Sequence, residues 1–156
     1  MQKIGLLIFS IVVVQLLGAS GGFFTASSVG SWYSTVNKPS FNPPNWIFAP
    51  VWTILFLLMG IALYLVLSKG FNYNGVKVAV WIFAVQLVLN ILWSYLFFGL
   101  QNPFYALIEI IFLIISILAT MYFFYRVSPV ATYLLIPYIL WVSFASVLNF
   151  YIYILN

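Results

Sequence analysis

The 156-residue chain has no cysteine and no histidine, and its one acidic residue is Glu109. Without cysteine there is no disulfide framework and no thiolate nucleophile, and nothing speaks for either redox compartment. With histidine absent as well, the chain has no conventional metal site, no Ser–His pair and no usual haem axial ligand. A single carboxyl group rules out acid/base chemistry by paired carboxylates. Charge of either sign is scarce, at 4% of residues, where a soluble domain carries about a quarter. What fills the space is apolar: hydrophobic residues make up 66% of the chain and the mean hydropathy is +1.20. Such a chain belongs in a lipid bilayer. The net charge of +4 and pI of about 9.4 would suggest nucleic acid as partner to a soluble protein. In a membrane protein, loop cations that set orientation explain it better, and no nucleic-acid partner is expected.

Five stretches reach the roughly 20 residues that a bilayer core demands: about 4–26, 47–68, 76–100, 104–125 and 130–154. The start Met1-Gln2-Lys3 followed by an apolar run resembles a signal peptide. The run continues through Phe24, too long for a signal's apolar region, which predicts a retained first span. The last three connections, KGFNYNG, QNP and RVSP, are short, so consecutive helices are antiparallel neighbours. The expected fold is all-α, an integral membrane bundle of five transmembrane helices forming one domain over 1–156. Lys3, Lys69, Lys77 and Arg126 fall on the side of the N-terminus, against Lys38 alone on the other. The positive-inside rule then puts the N-terminus in the cytoplasm and the first loop and C-terminus outside.

The stretch Trp32 to Trp52, WYSTVNKPSFNPPNWIFAPVW, stands apart. Pro fixes φ, removes a donor and pushes the preceding residue out of the helical region. Pro39, Pro43 and Pro44 therefore exclude a continuous helix before about Asn45, whereas Pro50 suits a helix's first turn. A solvated linker would be rich in Gly, Ser and charge. This one is aromatic and stiff, and it reads as a lid over about 27–46, carried by Trp32, Lys38, Pro39, Phe41, Pro43, Pro44 and Trp46.

Polar residues inside spans turn towards the bundle interior. Gln86, Asn90, Trp93, Ser94 and Phe97 form one stripe on the third helix. Glu109, Phe112, Ser116 and Thr120 form another on the fourth, and Pro137, Trp141, Ala145 and Asn149 a four-residue ladder on the fifth. Gly18 and Gly22, extended by Ala26, read either as a homodimer face or as close packing within the chain. Trp81 is an ordinary membrane-interface anchor. Trp32 and Trp46 divide evenly between that reading and the lid, while Trp52, Trp93 and Trp141, tied to polar stripes, predict an aromatic pocket. Glu109 is expected to be neutral and hydrogen-bonded.

The run WYSTVNKPSFNPPNWIFAPVWTILF, then Asn90-Ile91-Leu92-Trp93-Ser94 with Phe97-Phe98, then Trp141 with Asn149, resembles the tryptophan-rich sensory protein and translocator protein family (TspO/MBR) over nearly the whole chain. In mammals its member is the peripheral-type benzodiazepine receptor. The resemblance implies a pocket under the first loop that binds protoporphyrin IX, haem and synthetic isoquinoline carboxamides, with no required cofactor. By position, Tyr33, Trp52, Asn90, Trp93 and Trp141 match ligand-contacting positions, to which the stripes add Ser94, Phe97 and Ala145. Some bacterial members are similar to light-dependent porphyrin-degrading proteins, which would make Trp52 and Trp141 the reactive side chains. The sterol motif of animal members does not carry over, since no cation follows Tyr151 or Tyr153 in FYIYILN.

Three functions follow. The first is a membrane receptor or carrier for tetrapyrroles and other flat apolar ligands. The second is light-driven porphyrin chemistry using pocket tryptophans. The third, a proton-coupled exporter centred on Glu109, is the weakest, because no inverted repeat or broken helix pair is evident.

Overall fold

The computed structural model describes residues 2–156; Met1, part of the basic start, lies outside the described residues. The chain runs α1 (Gln2–Val29), a short α2 (Trp32–Thr35), a 3-10 turn (Asn45–Ile47) and α3 (Phe48–Leu67). It continues with α4 (Val76–Ser94), a π turn (Tyr95–Gly99), α5 (Pro103–Val127), α6 (Pro129–Leu134) and α7 (Ile136–Leu155). Five of the resulting rods are long and apolar enough to cross a membrane. They close a ring: α1 packs on α3, α3 on α6, α6 and α7 on α5, α5 on α4, and α4 back on α1.

Glycine sets the α1–α3 spacing. A Cβ on Gly18 would overlap the Phe56 ring, and one on Gly60 would stand 2.7 Å from the Ile11 Cα. Without hydrophobic drive between helices in lipid, such close approach is a main source of association. Away from the first loop the core is largely apolar, with Phe83 and Phe124 stacked at 5.6 Å. At the loop end a second core gathers Tyr33, Phe97, Phe98, Ala106 and Ile152.

Two expectations need correction. The fifth span is one membrane-length unit, Pro129–Leu155, and it carries a break at Leu135 between α6 and α7. Pro137 supplies no N–H, and the chain re-pairs around it through Leu135 N–H to Thr132 O at 2.9 Å and Ile139 N–H to Leu135 O at 3.1 Å. The ladder from Pro137 to Asn149 does not hold one face, because each step of four advances about 40° beyond a full turn. Pro137 accordingly lies exposed while Asn149 is buried, and Tyr138, one residue on, takes the inward position. On α5, Phe112 points outward at 57% exposure while Glu109 and Thr120 are buried. The buried face there runs through Ala106, Ile110, Leu113 and Ile117, and Phe112 sits about 100° from Leu113.

The third span ends in a π turn, closed by Leu100 N–H to Tyr95 O at 2.7 Å. This wider turn lets the consecutive Phe97 and Phe98 both point inward, at 2% and 5% exposure. Such bulges recur at functional sites.

Candidate functional site

The first loop is folded back and tied down. Tyr33 is buried at 2% exposure, and its hydroxyl donates to Asn42 Oδ1 at 3.1 Å. Burial pushes the Tyr33 phenol above its ordinary value of 10.0, with the Asn42 hydrogen bond acting in the opposite direction. The Lys38 ammonium sits 4.6 Å from the Tyr33 ring centroid, a cation–π contact, and donates to Val36 O. Asn42 N–H closes a turn onto Pro39 O at 3.0 Å. Phe41 rests edge-on against Tyr151 of α7 at 5.3 Å.

Beneath the loop lies an aromatic pocket whose wall includes Tyr33, Phe48, Trp52, Trp93, Phe97, Phe98, Trp141, Ala145 and Asn149. Trp93 stacks on Phe97 at 5.1 Å, Trp32 meets Phe97 edge-on at 5.7 Å, and Phe48 meets Trp141 edge-on at 6.3 Å. The enclosed space is about 30 Å³, far below the roughly 300–1,000 Å³ of ordinary ligand sites. Asn149 fixes the back of this pocket: its Oδ1 accepts from the Trp93 indole N–H at 3.1 Å and its Nδ2 donates to Pro103 O at 2.8 Å. One side chain thus joins α4, α5 and α7.

A second cavity, of about 300 Å³, shares Thr25, Phe48 and Trp52 with the first and has Gly18, Gly22, Ala26, Phe56, Asn90 and Ser94 in its wall. Deeper still is a buried polar chain. Asn90 Nδ2 donates to the Tyr138 hydroxyl at 2.9 Å, and that hydroxyl donates to Gln86 Oε1 at 2.7 Å. The Glu109 carboxyl stands within electrostatic reach of Tyr138. The hydrogen-bonded carboxyl expected from the sequence is not found. Both Glu109 oxygens are buried without a partner, the only such side-chain atoms among the described residues.

The expected site residues therefore separate into groups. Tyr33, Trp52, Trp93, Phe97, Trp141 and Ala145 line the aromatic pocket, while Asn90 and Ser94 line the second cavity, with Trp52 common to both. Of the expected lid residues, Trp32 packs on Phe97 and Lys38 on Tyr33. Pro39, Phe41, Pro43 and Pro44 shape the return of the loop, and Trp46 points outward at 73% exposure. Phe48, Thr25 and Tyr138 were not anticipated. Tyr138 carried a signal in its four-residue spacing to Val142, which the apolar character of the whole helix concealed.

The sequence model of the TspO/MBR family matches residues 10–155. The chain belongs to the TspO/MBR family. It is 51% identical over 151 residues to the tryptophan-rich protein TspO of Archaeoglobus fulgidus, covering 96% of each chain. With the tryptophan-rich protein TspO of Chlorobaculum tepidum it shares 52% identity over 140 residues, 90% of this chain and 89% of the relative. It is 37% identical over 141 residues to the translocator protein of Sus scrofa, covering 86% and 83% of the two chains. Membership in TspO/MBR, joined to five membrane-length helices, makes this an integral membrane protein and supports a receptor role in the membrane.

Proposed function

We propose that this single-domain TspO/MBR protein is a membrane receptor or carrier for tetrapyrroles such as protoporphyrin IX or haem, and for other flat apolar ligands including isoquinoline carboxamides. The supporting observation is the convergence of Tyr33, Phe48, Trp52, Trp93, Phe97 and Trp141 in one wall beneath a tied loop. Flat rings stack and edge-contact such surfaces favourably, and Asn149 holds Trp93 in place. The first loop acts as lid. It faces outside a bacterial cell membrane with the N-terminus in the cytoplasm, since four of five cations lie at the opposite end. The test is a titration of purified protein in detergent with protoporphyrin IX, read by tryptophan quenching. Saturable binding that weakens on Trp141→Ala supports the reading; no saturation with folded protein removes it.

A second reading has Trp52 and Trp141 taking part in light-driven porphyrin breakdown. It is favoured by the placement of both indoles in the pocket wall. A proton-coupled exporter centred on Glu109 has in its favour only the unpartnered carboxyl.

A further inference from the structure

We propose that Trp52 is a movable wall between two chambers, and that its displacement sets the largest ligand the protein accepts. The inference rests on the reading that the aromatic pocket binds a ligand, and it deepens it. Thr25, Phe48 and Trp52 line both the pocket under the loop and the cavity between α1 and α3. The first, at about 30 Å³, is too small alone, and the second, at about 300 Å³, only reaches the lower end of roughly 300–1,000 Å³ for ordinary ligand sites. A ligand touching both Trp141 and Asn90 passes the shared residues Thr25, Phe48 and Trp52, of which Trp52 carries the largest ring.

The surroundings of Trp52 suit a wall that moves against a fixed support. Its ring is half-buried and stacks on Phe56 at 5.4 Å and 28°. Phe56 is itself pinned against Gly18, where a Cβ would overlap its ring. The lateral chamber has an open mouth: Gly22, Ala26 and Ala49 on its rim are exposed, and nothing lies within 4 Å of a Cβ built at Gly22. Gly22 and Ala26 lie in the last two turns of a membrane-length helix, and exposed Gly30 and Asn45 belong to the same wall, so the mouth lies between α1 and α3 at the loop end of the bundle. Its floor is polar. Asn90 engages Tyr138 through Nδ2, and its Oδ1, which accepts nothing from the described residues and is absent from the fully enclosed unpartnered atoms, is left to the cavity. The ligand class that fits is a flat apolar molecule wider than either chamber, carrying one hydrogen-bond donor that reaches Asn90.

Because the chain has no cysteine, Ala145→Cys places a single thiol in the wall of the inner pocket. Its labelling by N-ethylmaleimide in detergent or bilayer reports access without any porphyrin. Adding Trp52→Ala is expected to raise the labelling rate at least tenfold, and adding Gly22→Phe to that pair to return it to within about twofold of the single variant. Trp52→Leu serves where Trp52→Ala fails to fold, judged by circular dichroism and unfolding temperature. Labelling indifferent to removal of the indole, or to Gly22→Phe once it is removed, overturns the wall. In a second arm, Gly22→Phe alone is expected to weaken protoporphyrin IX binding at least tenfold; unchanged affinity in a folded variant also overturns the proposal. If the unaltered protein binds no porphyrin, the proposed function fails, and the labelling arm still decides the wall.

Discussion

Asn37 and Asn156 hold each other by reciprocal hydrogen bonds, Asn37 N–H to Asn156 Oδ1 and Asn156 Nδ2 to Asn37 O, each 2.9 Å. Asn37 Nδ2 adds a bond to Leu155 O at 3.3 Å. The clasp joins the first loop to the end of α7, and with Phe41 on Tyr151 it determines where the loop lies. Since these groups are exposed, each bond contributes at the low end of about 0.5–1.5 kcal/mol. Asn156→Ala is expected to speed protoporphyrin IX release by roughly three- to tenfold, with about 1.4 kcal/mol per tenfold, and to leave the unfolding temperature nearly unchanged. Stopped-flow release into excess detergent measures it; an unchanged rate separates the clasp from ligand retention.

Loop stiffness is a separate contribution. Pro43 and Pro44 limit the conformations of the open loop, so replacing both by Gly raises its entropy by about 0.4–1 kcal/mol per site. Weaker binding with little loss of fold is expected. Equal affinity and equal release rate in the double variant would remove the lid from the account.

Tyr33 makes the loop sensitive to alkali. Its phenol is raised above 10.0 in the folded protein, so between its unfolded and folded values the unfolded loop has lost a proton that the folded loop retains. Stability from the buried neutral phenol is therefore complete below about pH 10 and declines as pH rises through the folded value. Ligand affinity should be flat near neutrality and fall above pH 10, and Tyr33→Phe should flatten that fall while loosening the loop by about 1 kcal/mol through the lost Asn42 bond. A pH titration of affinity for both proteins distinguishes this from general alkaline unfolding.

The five spans were legible because bilayer thickness imposes a length that composition alone reveals, and the loop because three prolines forbid a continuous helix up to Asn45. Trp52, Trp93 and Trp141 were legible because polar neighbours at helical spacing marked an inward face. The rest depended on geometry that residue spacing does not carry. A step of four residues drifts about 40°, which exchanged Pro137 for Tyr138. The π turn that turns both Phe97 and Phe98 inward has no sequence signature, and the Asn37–Asn156 clasp joins positions 119 residues apart. That Trp52 lines two cavities follows only from where α1 leaves room beside Gly22.

Glu109 tests whether the buried carboxyl matters to binding. Glu109→Gln keeps shape and polarity, and with both oxygens unpartnered it breaks no hydrogen bond within the protein. The fold should survive and protoporphyrin IX affinity should stay within about threefold, less than 1 kcal/mol. Affinity that depends strongly on pH near neutrality, with the dependence lost in Glu109→Gln, would favour the proton-coupled reading instead.

Binding and photochemistry separate at Trp52 and Trp141, which reach the pocket from α3 and α7. If the indoles only stack, replacing either by Phe keeps an apolar ring and lowers affinity by about 1 kcal/mol, the scale of an aromatic pair's specific contribution. Phe is a far poorer electron donor than indole, so light-driven porphyrin loss should fall much further than occupancy if the indoles react. The measurement is porphyrin absorbance decay under illumination at saturating protein, for the unaltered chain, Trp52→Phe, Trp141→Phe and the pair. Saturation is required because weaker binding would otherwise imitate lost chemistry. Trp93 provides the internal control: its N–H is held by Asn149 at 3.1 Å, so Trp93→Phe should lower stability through the stranded Asn149 oxygen more than it alters decay. Decay equal in all variants, or no faster than porphyrin in detergent alone, leaves a binding protein without the photochemical step.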